Sequence, residues 1–104
     1  MTVQITIIGM GQIGTSIGLA LAEHKDLVTR VGHDKDPRIA NRAKDMGALD
    51  RVDLNLPNSV AEAGMVILAL PLDQIRETLK YIAQDLKEEV VVMDTAPVKS
   101  VVSQ

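Results

Sequence analysis

Gly9-Met10-Gly11-Gln12-Ile13-Gly14 is a G-x-G-x-x-G run, and Asp34 stands twenty positions beyond its last glycine. Those residue types at that spacing suit the binding of a diphosphate-linked nucleotide. Gly9 lets the chain turn sharply, Gly11 lets the backbone approach a phosphate with no Cβ in the way, and Gly14 lets a following helix pack close. The diphosphate would then lie at a helix N-terminus, where unpaired N–H groups and the positive end of the dipole favour an anion. A carboxylate at Asp34 is placed to accept hydrogen bonds from adenosine ribose hydroxyls. Three glycines alone mark only an ordinary turn, so the meaning of the run depends on the elements around it.

Those elements are legible. Val3, Ile5, Ile7 and Ile8 form a short apolar strand that enters the run. Beyond it, Ile13, Ile17, Ala20, Leu21 and His24 recur at i, i+4, i+7, i+8 and i+11, a helical stripe. Residues 27–32 read as a second strand that delivers His33 and Asp34. Asp36-Pro37 is an N-cap followed by proline at the first helical position. Ile39, Ala40, Ala43 and Met46 give that helix its apolar face, and Gly47 is its stop. Arg38, Arg42 and Lys44 fall on the solvated side.

A short third strand is expected over residues 51–54, ended by Pro57, with Ser59-Val60-Ala61-Glu62 as a capping box opening the next helix. Residues 65–70 are continuously apolar, as in the centre of a parallel sheet. Pro71 stops that strand, Asp73 caps a helix, and Ile75, Leu79, Ile82 and Leu86 form its apolar stripe. Residues 90–93 read as a fifth, buried strand ending at Asp94, and residues 95–104 as a loop and the start of a helix.

Alternating strands and helices imply an α/β fold with parallel strands and right-handed crossovers. The expected form is a Rossmann-type doubly wound sheet of about five strands in order 3-2-1-4-5, one domain over residues 1–104. The ligand crevice would lie between strands one and four, beyond their carboxyl ends. The candidate cofactor-binding residues are Gly9, Gly11, Gln12, Ile13, Gly14, Asp34, Lys35, Leu70, Pro71 and Thr95. Asp34 and a third glycine rather than alanine favour NAD over NADP, since a carboxylate repels a 2′-phosphate. NADP stays open through Lys35 and Arg38.

Composition narrows the field. The 104 residues are 46% hydrophobic and 24% charged, enough for one core, which must be aliphatic because Tyr81 is the sole aromatic residue. A net charge of −3, no basic stripe and no aromatic platform argue against nucleic acid. No apolar run has membrane-spanning length, so no membrane partner is expected. Absence of cysteine fits a cytoplasmic location. No metal site is expected, because His24 and His33 are nine residues apart with no cysteine near. Both histidines read as structural or surface groups, and no catalytic residue is assigned. Val98, Val101 and Val102 offer an apolar edge that would suit a homodimer.

The residues GMGQIGTSIGLAL from Gly9, VILALPLDQI from Val66 and MDTAPVKS from Met93 together resemble the nucleotide-binding half of prephenate dehydrogenases, in register over nearly the whole chain. The resemblance implies an NAD(P)-dependent oxidative decarboxylation of prephenate or arogenate on the route to tyrosine. It also implies a further part of the domain carrying a histidine that acts on the ring hydroxyl, and a helical C-terminal domain that dimerises and completes the substrate site. Neither is found in this sequence, so the chain alone is expected to bind dinucleotide without turnover, and small-molecule substrate only with the missing domain. Family members show an Asp-x-x-Ser-x-Lys pattern. Here Asp94 and Lys99 match it, Pro97 takes the serine position, and Thr95 is the nearby hydroxyl. Two other functions fit the same fingerprint: a non-catalytic nucleotide-sensing module, and the cofactor domain of a related hydroxyacid dehydrogenase or imine reductase.

Overall fold

The computed structural model describes residues 2–95. Nine regular elements alternate along them: β1 (Val3–Ile8), α1 (Gln12–Leu21), β2 (Val28–His33), α2 (Pro37–Asp45), β3 (Arg51–Val52), α3 (Leu56–Ala61), β4 (Met65–Leu68), α4 (Leu72–Ile82) and β5 (Val91–Asp94). Single 3₁₀ turns extend α1 and α4. All strand pairs are parallel and the sheet order is β3-β2-β1-β4-β5, as the alternation predicts.

Adjacent strand residues face opposite sides, so the sheet carries two apolar clusters. Ile5, Ile7 and Ile67 pack under α1 and α2 with Met10, Ala43 and Leu49. Ile8, Val66 and Leu68 pack under α3 and α4 with Val60, Ile75 and Ile82. The stripe of α4 behaves as its spacing predicts, with Ile75 and Ile82 buried and Leu79 and Leu86 packed beside them. Asp36 caps α2 by accepting from the Arg38 N–H at 3.0 Å. Gly47, at φ +88°, turns the chain out of the same helix.

Several boundaries differ from expectation. The second strand is shifted by one residue, because Leu27 is an exposed residue ahead of it. Residues 53 and 54 leave the short β3, and Pro57 begins a helix rather than ending a strand. The Asn55 side chain caps α3, accepting from the Asn58 N–H at 2.9 Å, and Pro57 fits the first turn, where no intrahelical N–H is required. Ser59 is therefore no cap. It is fully buried within α3, its hydroxyl donating to the Leu56 carbonyl while its own carbonyl accepts from the Thr6 hydroxyl at 2.6 Å.

Helix α4 takes Pro71 at its N-cap position with no side-chain cap, and Asp73 sits in the first turn, where a carboxylate favours the helix dipole. β4 ends at Leu68, freeing Ala69 and Leu70 to leave the sheet. The fifth strand is not buried: Val91, Val92 and Met93 are 49%, 36% and 50% exposed, because β5 pairs only with β4 among the described residues. Ile13 also faces outward, and α1 instead buries Gly14 and Gly18, which bring its backbone down on its neighbours. The expected final loop and helix, with Lys99 and the valine edge, lie outside the described residues.

Candidate functional site

β1 feeds α1 on one face of the sheet and β4 feeds α4 on the other. Chains leaving adjacent strands in opposite directions open a crevice between them. Its floor is tight. Gly9 sits at φ +96°, and a Cβ there would lie 2.5 Å from the Ala69 carbonyl oxygen, so the two strand exits touch at that point.

At Gly14 a Cβ would fall 1.9 Å from the Gly9 carbonyl oxygen, so that absent methyl is what lets α1 begin directly above the loop. Gly11, by contrast, is exposed, and a Cβ on it would meet nothing within 4 Å. The loop is thus closed below and open above. Gly11 is the N-cap of α1, with no side-chain cap, so the amides of the first turn have no carbonyl of their own helix to bond.

Above this floor lies a cavity of about 450 Å³, lined by Gly9, Gly11, Asp34 and Lys35 on one side and by Ala69, Leu70, Pro71, Gln74 and Thr78 on the other. Ile8, His33, Ile39 and Leu56 complete it. A wider, shallower cavity of about 720 Å³ shares His33, Lys35, Leu56, Gln74 and Thr78 with it and continues past Asn55, Pro57 and Tyr81. Together they form one trough from the glycine loop across the end of β2 to the outer side of α4.

Of the sequence candidates, Gly9, Gly11, Asp34, Lys35, Leu70 and Pro71 converge on the crevice. Gly14 lies beneath it as a packing position. Gln12 turns instead to a separate groove of about 380 Å³ between α1 and α2, and Ile13 is 56% exposed on the first turn. Thr95 stands at the end of β5, its N–H donating to the Leu68 carbonyl at 3.2 Å, and is not part of the crevice lining.

Asp34 is half-buried and fixed by two backbone donors. Its Oδ2 accepts from the Met10 N–H at 2.8 Å and its Oδ1 from the Asp36 N–H at 2.9 Å. Each oxygen keeps a second lone pair. Arg38, the cation offered for a 2′-phosphate, is occupied on the surface by Asp36, with Nη2 3.2 Å from Oδ2. That contact lowers the Asp36 carboxyl below its usual value, chiefly through the side-chain hydrogen bond.

His33, read as structural or surface, is buried, with Nδ1 2.9 Å from the Asp53 carbonyl oxygen, and it lines both cavities. Gln74, Thr78 and Tyr81 line the trough as well. They recur at i, i+4 and i+7 along the flank of the apolar stripe of α4, and that second stripe was the signal available.

Residues 17–104 match the family model for the nucleotide-binding domain of prephenate dehydrogenase. This chain belongs to that family. It is 34% identical over 95 residues to a cyclohexadienyl dehydrogenase of Zymomonas mobilis, covering 91% of the chain and 32% of that protein. It is 35% identical over 98 residues to a prephenate dehydrogenase of Lactococcus lactis, covering 93% and 27%.

Its fold matches an arogenate dehydrogenase from Synechocystis at a TM-score of 0.84, with 23% identity over 97% of this chain and 35% of the other. It matches a prephenate dehydrogenase from A. aeolicus in complex with hydroxyphenyl propionate and NAD+ at 0.79, with 24% identity over 88% and 32%. The chain therefore spans about a third of the length of the relatives it resembles. Among the described residues, no helix is long and apolar enough to cross a membrane, and no group of three potential metal ligands occurs.

Proposed function

We propose that this chain is the NAD-binding part of a dehydrogenase that oxidatively decarboxylates prephenate or arogenate. The observation that carries the proposal is the convergence of Gly11, the open first turn of α1 and the fixed carboxylate of Asp34 on one crevice at the β1/β4 switch point. The dinucleotide would run along the trough, its diphosphate over Gly11, Gln12 and Ile13, its adenosine ribose at Asp34, and its adenine toward Leu56, Thr78 and Lys35. Leu70 and Pro71 would flank the half nearer the reaction, with Thr95 beyond them.

NAD bound there supplies the hydride acceptor. This chain's own residues position it: backbone amides hold the negative charge, Asp34 selects two free ribose hydroxyls, and the aliphatic walls exclude water. NAD is preferred over NADP, because a 2′-phosphate would meet the Asp34 carboxylate while Arg38 is engaged with Asp36. That the A. aeolicus relative holds NAD+ supports the choice. The substrate site and the dimer contacts belong to the portion that this chain does not span in its relatives, and the setting is the cytoplasm.

Isothermal titration of the 104-residue chain tests the proposal. NAD is expected to bind measurably and NADP at least roughly tenfold more weakly, a difference of about 1.4 kcal/mol. Mixing the chain with prephenate and NAD should give no NADH. Absence of NAD binding, or turnover by the chain alone, would contradict the assignment.

A further inference from the structure

Met10, the residue between the first two glycines, is held at three points. Its side chain is 2% exposed in the cluster beneath α1 and α2. Its N–H donates to Asp34 Oδ2 at 2.8 Å, and its carbonyl accepts from the Thr15 hydroxyl at 2.9 Å. Asp34 is in turn held through Oδ1 by the Asp36 N–H at 2.9 Å. A carboxylate restrained at both oxygens cannot swing aside, and neither can the peptide group it restrains.

We infer that Asp34 is a positioning residue for the phosphate loop, with Thr15 as its counterpart on the other side of Met10. The carboxylate fixes the direction of the Gly9–Met10 peptide and the Thr15 hydroxyl that of the Met10–Gly11 peptide, and together they set the diphosphate cradle before any nucleotide enters. The ribose end and the diphosphate end of the site are thereby coupled through one side chain. A second consequence concerns specificity: the negative charge that a 2′-phosphate would approach is locked in place. The inference rests on the dinucleotide assignment above for its ligand, although the clamp itself is a property of the free protein.

The test compares ADP with 2′,3′-dideoxy-ADP, which lacks the hydroxyls Asp34 would grip, by titration of the 104-residue chain and its Asp34→Ala variant. If the clamp operates, Asp34→Ala weakens the dideoxy compound roughly tenfold, the loss expected for one hydrogen bond to a charged group. If Asp34 acts on the ribose alone, the dideoxy compound binds both proteins within about twofold, and the inference is overturned. Should Asp34→Ala fail to fold, Asp34→Asn gives the same comparison, with one acceptor oxygen left for two N–H groups. Thr15→Val should also weaken the dideoxy compound and Thr15→Ser restore it, a rescue that general destabilisation does not predict.

If the native chain binds neither compound, the dinucleotide assignment fails, and amide exchange at Met10 decides the clamp without a ligand. Exchange there should be roughly tenfold faster in the variant while the Ile7 amide in β1 is unchanged. Equal Met10 exchange in the two proteins would dispose of the clamp.

Discussion

Replacing Gly11 by alanine separates the fold from the site. Gly11 lies at φ −71° and ψ −155°, an extended conformation open to any residue, and the added methyl meets nothing within 4 Å. In the free protein two small effects oppose each other. Alanine restricts the unfolded chain, which stabilises by about 0.4–1 kcal/mol. Alanine is also a poorer N-cap than glycine, which costs about 0.5–1 kcal/mol. The net change should be within about 1 kcal/mol, barely visible in a urea or thermal melt.

With nucleotide the balance is different. The methyl points into the open side of the loop, where a phosphate must come close enough to accept from the first-turn amides. Losing one such charge-assisted hydrogen bond costs about 1.5–3 kcal/mol, so the NAD dissociation constant should rise roughly 10- to 100-fold. Titration calorimetry and a denaturation curve on the same variant measure both quantities. NAD affinity within threefold of native would refute the close backbone approach, and a stability loss above about 2 kcal/mol would refute the open space around Gly11.

Gly14→Ala should do the opposite: its methyl would fall 1.9 Å from the Gly9 carbonyl oxygen, so α1 must lift, and chemical denaturation should show a loss above about 2 kcal/mol. Arg30→Met removes a 1% exposed guanidinium that donates to the Gly18 and Gly47 carbonyls at 2.9 and 2.8 Å and pairs with Asp50 at 3.1 Å. Stranding those acceptors should cost about 2–4 kcal/mol in the same assay. The Arg30 hydrogen bond holds the Asp50 carboxyl below its ordinary 3.8. A depressed carboxyl stabilises fully above its unfolded value, so that contribution should fade as pH drops below about 4 and be absent from the acid titration of Asp50→Asn.

Much of the fold was legible because the chain repeats one unit whose parts differ in period. The apolar runs at Ile5 to Ile8 and Met65 to Leu68 have the length and continuity of covered parallel strands, and α4 has an unbroken 3.6-residue stripe. The misreadings occur where two local signals compete. The capping-box pattern at Ser59 competes with Pro57, which suits a first turn; the helix starts earlier, capped by Asn55, and Ser59 is buried with its carbonyl bonded to Thr6. Residues 90–93 read as buried because composition reports affinity for a core, whereas exposure depends on which neighbour is present.

Arg30 was invisible for a related reason. A cation inside an apolar run carries no mark of its partners, and these come from Gly18, Gly47 and Asp50, brought together only by the fold. At the crevice the glycines and Asp34 could be read because backbone geometry dictates them. Gln74, Thr78 and Tyr81 could not be singled out, since many side chains can wall a trough.

Tyr81, on the rim of that trough and 60% exposed, has a spectroscopic consequence. In a sequence with no tryptophan and no phenylalanine, its phenol is the lone source of intrinsic ultraviolet emission. That emission therefore reports from one known address beside the crevice, and quenching on titration locates an arriving guest without any attached dye.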